Sequence, residues 1–222
     1  MPNVSDQNGG ESHDEQATPG GLSSCLGARE AAPTRRGFFL GLGAAPLAFA
    51  VGTEDEGAPP ALESWTVFLV RHAEKGVDDP RDPALSEAGK LRAAALAELL
   101  AAAGVNRVFS TDYRRARDTA APLADHAGVE VELYDPREAG AIVKTLSELP
   151  AGSVAVVVGH SNTTPQVLTA LGAPEPRGLE DSRYGRILPE DCYDRLYLAH
   201  FARVGESKDA RFAGSLELRY GS

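Results

Sequence analysis

The chain has 222 residues, of which 42% are hydrophobic and 24% charged, a balance typical of one globular domain with a sizeable core. It carries 32 acidic and 22 basic residues, a formal net charge of −10. This excess of acid argues against a nucleic-acid binder, because such proteins need basic surfaces to neutralise phosphates. An anionic substrate would have to be bound by a local basic pocket, since the field of the whole molecule repels it.

The cysteines and histidines argue against two kinds of site. Cys25 and Cys192 are too few for a disulfide framework or a thiolate metal cluster. No two histidines have the HxxxH spacing that places two ligands on one face of a helix. We therefore expect no metal and no other cofactor.

Two segments near the beginning of the chain have the composition of unfolded polypeptide. Residues 1–33 are rich in Gly, Ser, Pro and acidic residues and show almost no apolar periodicity, which predicts a disordered tail. Residues 51–64 contain Pro59-Pro60 and are predicted to form a linker. The folded domain is expected to occupy residues 65–222.

Between the tail and the linker lies a segment with the order of features found in an export signal. Residues 34–50 contain the pair Arg35-Arg36, then an apolar run, and end in small residues at Ala50. This order resembles a twin-arginine signal cleaved after Ala50, which predicts a periplasmic or extracellular protein. The apolar run is shorter than the roughly 20 residues that span a bilayer, so we expect no stable membrane span after signal removal. A chance arginine pair before a short buried helix, or an uncleaved anchor, are the alternatives.

The first predicted strand and helix follow the linker. Residues 65–70 form a continuous apolar, β-branched run, typical of a strand covered on both faces. Ser86 is a suitable N-cap for a helix that Gly104 would end. Within this helix we expect an apolar stripe that faces the core, formed by Leu91, Ala95, Leu96, Leu99 and Leu100.

The middle of the chain continues the alternation. Strands are predicted at 107–109, 130–134 and 154–158, and helices at 113–126, 138–149 and 164–171. Pro122 should kink or restart the second helix, because proline lacks the N–H that the helical ladder needs.

The last part of the chain is less regular. Residues 174–191 are polar and rich in Gly and Pro, which predicts a long surface loop, and residues 196–199 and 216–220 are predicted to be late strands. Strands that alternate with helices favour an α/β fold: a three-layer α/β/α sandwich with a mainly parallel central sheet.

Basic and histidine side chains follow several of the predicted strands. Arg71-His72 closes the first strand, residues 110–120 with Arg115 follow the second, and His160 follows the strand at 154–158. Ligands of such sheets bind beyond the carboxyl ends of the strands, so these side chains are expected to meet at one edge. Guanidinium groups match phosphate oxygens bidentately, which predicts a site for a tetrahedral phosphate.

These residues, in this order, resemble the histidine phosphatase superfamily, in the branch of the phosphoglycerate mutases and small bacterial phosphohistidine phosphatases. The resemblance covers residues 65–200 and matches the family's Arg-His pair, its Ser-Ser-Pro-Leu-x-Arg-Ala-x-x-Thr-Ala segment and its second histidine. It implies that His72 attacks phosphorus and forms a phosphohistidine. Arg71, Arg115 and His160 would hold the equatorial oxygens, and water would then hydrolyse the intermediate. No metal is needed, because fixed cationic donors stabilise the charge of the transferring group.

The proton donor to the leaving group is open between two glutamates and no carboxyl at all. The resemblance places Glu138 near the position of the family's acid, although Glu138 could equally be the exposed first turn of a helix. Glu74, two residues after His72, is the rival. Without an acid, a phosphohistidine substrate is favoured because its leaving group needs less help.

The resemblance predicts a phosphatase that acts on a phosphorylated small molecule or a phosphohistidine protein. A phosphoglycerate mutase-like phosphotransferase is less favoured, because residues 51–222 leave little room for the extra segments of the family's mutases. A catalytically inactive phosphate-binding module of the same fold is the alternative from another class. The oligomeric state is not predicted.

Overall fold

The structure, a computed structural model, describes residues 61–205 and 211–221. The predicted tail at 1–33, the predicted export signal at 34–50 and residues 51–60 of the predicted linker lie outside the described residues. The first strand begins at Leu62, so the last residues of the predicted linker already belong to the sheet.

Strands and helices alternate through the first two thirds of the described chain. In order they are β1 (Leu62–Arg71), α1 (Glu87–Leu100), β2 (Arg107–Thr111), α2 (Arg114–Ala127), β3 (Val131–Tyr134), α3 (Ala139–Ser147), β4 (Val154–Gly159), α4 (Thr163–Ala170), β5 (Glu180–Ser182), β6 (Gly185–Ile187), β7 (Arg195–Val204) and β8 (Arg211–Arg219).

Six of these strands form one sheet in the order β3-β2-β4-β1-β7-β8. The four neighbours β3, β2, β4 and β1 run parallel, whereas β7 and β8 are antiparallel to their neighbours at the other edge. β1 and β4 are aligned so that Arg71 lies opposite Gly159, which brings the carboxyl ends of the central strands to the same edge.

Helices cover both faces of this sheet, which confirms the predicted three-layer α/β/α architecture. Along β1, Val67 and Leu69 belong to one hydrophobic core and Phe68 and Val70 to the other, as the alternation of side chains along a strand requires. The first core packs against α3 and α4, and the second against α1 and α2.

The predicted apolar stripe of α1 is partly wrong. Leu91 is 74% exposed and Leu99 50% exposed, whereas Ala93, Leu96 and Leu100 are buried. Apolar residues occur on most sides of this helix, so periodicity alone did not single out the face that packs on the sheet. Ser86 does cap the helix: its hydroxyl accepts a hydrogen bond from the Gly89 N–H at 3.1 Å.

Two further expectations differ in part from the structure. α2 continues through Pro122 without a restart, in the manner of helices whose tertiary packing outweighs one lost hydrogen bond. Residues 174–191 are not loop throughout, because β5 and β6 pair as a short hairpin within them. A three-residue strand is too short for its sequence pattern to be distinguished from a polar loop.

Candidate active site

The carboxyl ends of β1 and β4 place the two predicted histidines side by side. The backbone N–H of His72 donates to the Gly159 carbonyl at 2.9 Å. This bond extends the parallel ladder of β1 and β4 by one residue beyond the strand. The ring centroids of His72 and His160 are 5.3 Å apart, with an angle of 64° between the rings. Both side chains are buried. The predicted convergence of the two histidines is confirmed.

The ring of His72 is held in one orientation by the contacts of its two ring nitrogens. Nδ1 lies 2.8 Å from the Ala73 carbonyl, an acceptor, so Nδ1 carries the proton and Nε2 keeps its lone pair. The Arg115 Nε–H donates to this Nε2 at 3.2 Å. Burial, with added repulsion from His160, Arg71 and Arg115, lowers the pKa of His72 to about 3. His72 is therefore neutral near pH 7 and presents a nucleophilic lone pair to the cavity.

Arg115 is positioned by the first turn of α2. The Thr119 hydroxyl donates to the Arg115 carbonyl at 2.7 Å and accepts from the Ala73 N–H at 2.9 Å. This one hydroxyl ties the helix that carries the arginine to the segment that carries the nucleophile. The guanidinium lies 4.4 Å above the Tyr113 ring and 3.7 Å from an Asp82 carboxylate oxygen.

Arg71 has a second function besides facing the site. Its Nη1 donates to three carbonyls of one loop, those of Pro189 at 2.8 Å, Glu190 at 3.0 Å and Cys192 at 3.2 Å. The guanidinium also stacks on the Tyr193 ring at 4.1 Å. Its Nε–H is buried and has no hydrogen-bond partner within the part of the chain that the structure describes. Arg71 thus holds the 189–192 loop through Nη1 and has a further N–H donor on Nε.

His160 is oriented by two threonines. Its Nε2 lies 2.9 Å from the Thr111 hydroxyl, and its backbone N–H donates to the Thr163 hydroxyl at 2.8 Å. The preceding Gly159 has no room for a side chain, because a Cβ there would lie 2.8 Å from the Thr163 hydroxyl. Burial, with added repulsion from Arg115 and Arg71, lowers the pKa of His160 to about 4, so this ring too is neutral near pH 7.

A cavity of about 1150 Å³ opens above these side chains. We call Arg71, His72, Arg115 and His160 the inner wall. Further out, the same cavity is lined by a set of loop residues that we call the rim: Lys75, Arg81, Arg137, Arg183 and Tyr184. This cavity is the local basic pocket that an anionic substrate of an acidic protein would need.

The two glutamates considered as proton donors are not placed in the cavity. Glu138 is exposed at the residue before α3 and does not line the wall, although its neighbour Arg137 does. Glu74 is engaged by Arg92 in a bidentate contact, with oxygen–nitrogen distances of 2.7 to 3.0 Å. Partial burial would raise the pKa of Glu74, but the hydrogen bonds from Arg92 outweigh it and the pKa is lowered. In this structure neither carboxyl lines the cavity.

Several residues that matter to this geometry were not singled out by sequence analysis. Thr111, Thr119 and Gly159 each fix a residue of the inner wall, and Tyr193 stacks on Arg71. Thr111 and Thr119 lie inside the motif at 110–120, which was the available signal. Nothing in the sequence singled out Tyr193, because it reaches Arg71 across 122 positions of chain.

Neighbouring polar residues are engaged away from the inner wall. Arg114 and Arg117 are half-exposed and pair with Asp78 and Asp112, at 3.1 and 2.8 Å, rather than with the inner wall. Cys192 is buried, and burial raises the pKa of its thiol, which suits an unreactive side chain.

Comparisons with known proteins agree with this geometry. Residues 67–137 match the family model of the histidine phosphatase superfamily (branch 1), a segment that contains Arg71, His72 and Arg115. Over this segment the family resemblance inferred from the sequence is confirmed. No curated protein matches the chain.

Two solved structures have the same fold. A protein described as mycobacterial hydrolase 2 superposes with a TM-score of 0.51 and 15% identity, covering 68% of this chain and 90% of its own. The protein histidine phosphatase SixA, solved in complex with tungstate, gives a TM-score of 0.50 and 18% identity, covering 69% and 96%.

The described residues contain no group of three or more His, Cys, Asp or Glu side chains arranged to hold a metal ion. None of the helices that the structure describes has the length and apolar character needed to cross a membrane.

Proposed function

We propose that this chain, a histidine phosphatase-like protein by its match over residues 67–137, is a metal-independent phosphatase that works through a phosphohistidine on His72. The substrate is a phosphomonoester or a phosphohistidine. The observation that carries the proposal is the state of the His72 ring. Its proton is held on Nδ1 by a carbonyl. Its unprotonated Nε2 faces the Arg115 guanidinium at the base of a basic cavity.

The inner wall supplies each part of a two-step displacement. A substrate phosphoryl group would replace the contact between Arg115 and Nε2, and it would accept hydrogen bonds from the freed Nε–H of Arg115 and from the unpaired Nε–H of Arg71. The Nε2 lone pair forms the bond to phosphorus while the bond to the leaving group breaks. The phosphorylated ring carries a positive charge, which the Ala73 carbonyl stabilises through Nδ1–H. A water molecule then attacks phosphorus and the phosphorus–nitrogen bond breaks. Inorganic phosphate is released, and His72 returns to its neutral form.

The surroundings of His160 suit a donor to the phosphoryl oxygens. Its ring is neutral before substrate binds, and its centroid lies 5.3 Å from that of the His72 ring. A dianionic phosphoryl group in this position would favour protonation of His160, because the opposite charge offsets the cost of burial. Fixed donors of this kind stabilise the charge of the transferring group without reorganisation.

The cavity offers little help to a poor leaving group. Within the described residues, Asp79 and Glu190 are the carboxylates on its wall. Two backbone N–H groups, those of Arg81 and Asp82, lower the pKa of Asp79, and Glu190 lies 3.8 Å from Lys75. Substrates whose leaving group departs without a strong acid, such as phosphohistidines and aryl phosphates, are therefore favoured.

The direct test is phosphate release from an aryl phosphate, a set of phosphomonoesters and a phosphohistidine protein. The wild-type chain should turn over an aryl phosphate, and a chelator should leave the rate unchanged. His72→Ala should lower the rate at least about 10⁴-fold, because the covalent route is lost. His126→Ala is the matched control, since His126 is exposed in the last turn of α2. Tight phosphate binding without turnover in the wild type would overturn the proposal in favour of a binding module.

We also propose that the protein is exported by the twin-arginine-like segment at residues 34–50. The support is the order of the arginine pair, the apolar run and the small residues at Ala50. Cell fractionation of the full chain should find the mature protein outside the cytoplasm, with a new N-terminus after Ala50. The variant in which Arg35 and Arg36 are both lysine should remain in the cytoplasm, and export of this variant at the wild-type level would contradict the proposal.

A further inference from the structure

The cavity is much larger than the group that the inner wall would hold. Ligand pockets of roughly 300 to 1000 Å³ accommodate whole drug-sized molecules, and this cavity has about 1150 Å³. A phosphoryl group on Nε2 of His72 would occupy only its base. The part of the cavity next to the rim therefore has room for the remainder of a larger substrate.

The rim is strongly cationic although the protein as a whole is acidic. Four of its five members are cationic: Lys75, Arg81, Arg137 and Arg183. With Arg71 and Arg115 of the inner wall they make six cations in the cavity, against two carboxylates, those of Asp79 and Glu190. Such a local excess concentrates anions in the cavity against a net charge of −10.

Protein carboxylates already neutralise part of the rim. Lys75 lies 3.8 Å from Glu190, and Arg137 makes two contacts of 3.0 Å with Asp135. Arg81 and Arg183 differ from them. In residues 61–205 and 211–221, neither guanidinium has a carboxylate within 4.0 Å. These two arginines are the rim cations left to a ligand.

Arg183 is presented by a hairpin that is fixed to the active site. Ser182 and Gly185 face each other across the β5–β6 pair, so Arg183 and Tyr184 form its two-residue tip. The Arg183 guanidinium lies 4.7 Å above the Tyr184 ring. At the base of the hairpin, the N–H of buried Leu188 donates to the Ser161 carbonyl at 2.8 Å, next to His160.

Arg81 is presented by a different loop, between β1 and α1. Asp79 holds this loop from within, because one of its carboxylate oxygens accepts the backbone N–H groups of Arg81 and Asp82 at 2.7 and 3.1 Å. The Ala84 N–H donates in the same way to Asp78 at 3.0 Å. The backbone that carries the Arg81 side chain is thus held in a defined turn.

We propose that the substrate is a small phosphate ester whose leaving group carries a second anionic group, a carboxylate or a further phosphate, bound by Arg81 and Arg183. This inference rests on the proposed function, since it places the scissile phosphoryl group at the inner wall. The second anion would lie at the rim, beside the two arginines that have no carboxylate within 4.0 Å among the described residues.

A matched pair of substrates isolates the second anion. Phenyl phosphate with a carboxymethyl group on the ring and its methyl ester differ by one remote charge, while the methylene group keeps the phenol leaving groups similar. We expect kcat/KM of the wild type to be higher for the acid than for the ester by about two- to fivefold, the range expected for an exposed ion pair. Arg183→Gln and Arg81→Gln should each lower this acid-to-ester ratio, and the double variant should bring it close to one.

Arg186→Gln is the control within the same hairpin. Arg186 is exposed and pairs with Asp181 at 3.2 Å and Glu175 at 3.7 Å, and it does not line the cavity. This variant should keep the wild-type ratio. A ratio near one in the wild type, with both esters hydrolysed, would overturn the inference and leave the phosphatase standing. Hydrolysis of neither ester, with no other phosphate released, would instead overturn the proposed function. Selective hydrolysis of a phosphohistidine protein, with neither ester a substrate, would replace the small anionic ester by a protein.

Discussion

The inner wall and the rim of the same cavity are built in different ways. Each inner-wall residue stands at the end of a central strand or in the first turn of α2, and hydrogen bonds from buried threonines, carbonyls or strand neighbours fix it. The rim residues stand on loops and on a hairpin tip, and most are exposed. This difference indicates that the inner wall performs the chemistry and that the loops of the rim select the molecule that reaches it.

The largest effect expected within the inner wall, after loss of the nucleophile, is that of Arg115. Arg115→Gln removes the guanidinium that faces Nε2 of His72 and should lower kcat/KM for an aryl phosphate about 10² to 10³-fold, the usual loss for one donor to a developing charge. Steady-state phosphate release measures this. Arg117→Gln is the control from the same helix, since Arg117 pairs with Asp112 outside the cavity. Equal rates for the two variants would place Arg115 outside the chemistry.

Arg71 should affect stability as well as rate, which distinguishes it from Arg115. Arg71→Gln removes the donor shared by the carbonyls of Pro189, Glu190 and Cys192. Because these hydrogen bonds have a charged donor and are partly or fully buried, we expect the free energy of unfolding to fall by about 2–4 kcal/mol. Urea unfolding measures the loss, and limited proteolysis should show new cleavage in the 189–192 loop. Unchanged stability and an intact loop would show that Arg71 does not hold this segment.

The buried histidines predict a loss of stability in acid. The folded pKa values are about 3 for His72 and about 4 for His160, whereas an unfolded histidine titrates near 6.5. Below pH 6.5 the unfolded chain therefore binds protons that the folded chain does not. Stability is complete above about pH 6.5 and is lost as the pH falls towards 4 and 3, by up to about 1.4 kcal/mol per pH unit for each histidine.

Urea unfolding between pH 4.5 and 7 measures this slope. His160→Asn should reduce it by the share of one buried histidine, whereas His126→Asn should not, because His126 is exposed. A slope that is the same in all three proteins would contradict the burial of neutral imidazole at the inner wall.

The smallest effect is expected at Glu138. The family resemblance predicts a proton donor there, but the exposed carboxylate does not line the cavity. We expect Glu138→Gln to change kcat for an aryl phosphate less than about twofold, since a surface substitution outside the site is usually close to neutral. A loss of 10² or more, the least that a general acid contributes, would restore Glu138 as the donor and require the loop before α3 to move.

The sequence predicted the inner wall better than the rim for a physical reason. Arg71, His72, Arg115 and His160 each follow a strand or a helix start with a clear hydrophobic pattern, and a parallel sheet brings such ends together whatever the loops do. The three-layer fold followed from the same alternation. The carbonyl contacts of Arg71 and the stacking of Tyr193 depend on how a polar segment returns to the sheet, which no local pattern encodes.

The errors have a common origin too. Leu91 and Leu99 were placed on the buried face of α1 because apolar residues lie all around that helix, and only packing decides between its faces. The hairpin of β5 and β6 was predicted as loop, because its strands are short, polar and exposed. Where burial does not constrain the side chains, the pattern of the sequence carries little information about the backbone.

The most direct test of the account is to locate the phosphoryl group during turnover. The full chain would be mixed with an aryl phosphate, quenched in alkali within milliseconds, digested, and its phosphorylated peptide identified by mass spectrometry. The account predicts a single phosphohistidine, at His72, that forms and decays at rates consistent with kcat and is absent in His72→Ala. Phosphorylation at His160 or at another residue, or turnover with no covalent intermediate, would contradict it.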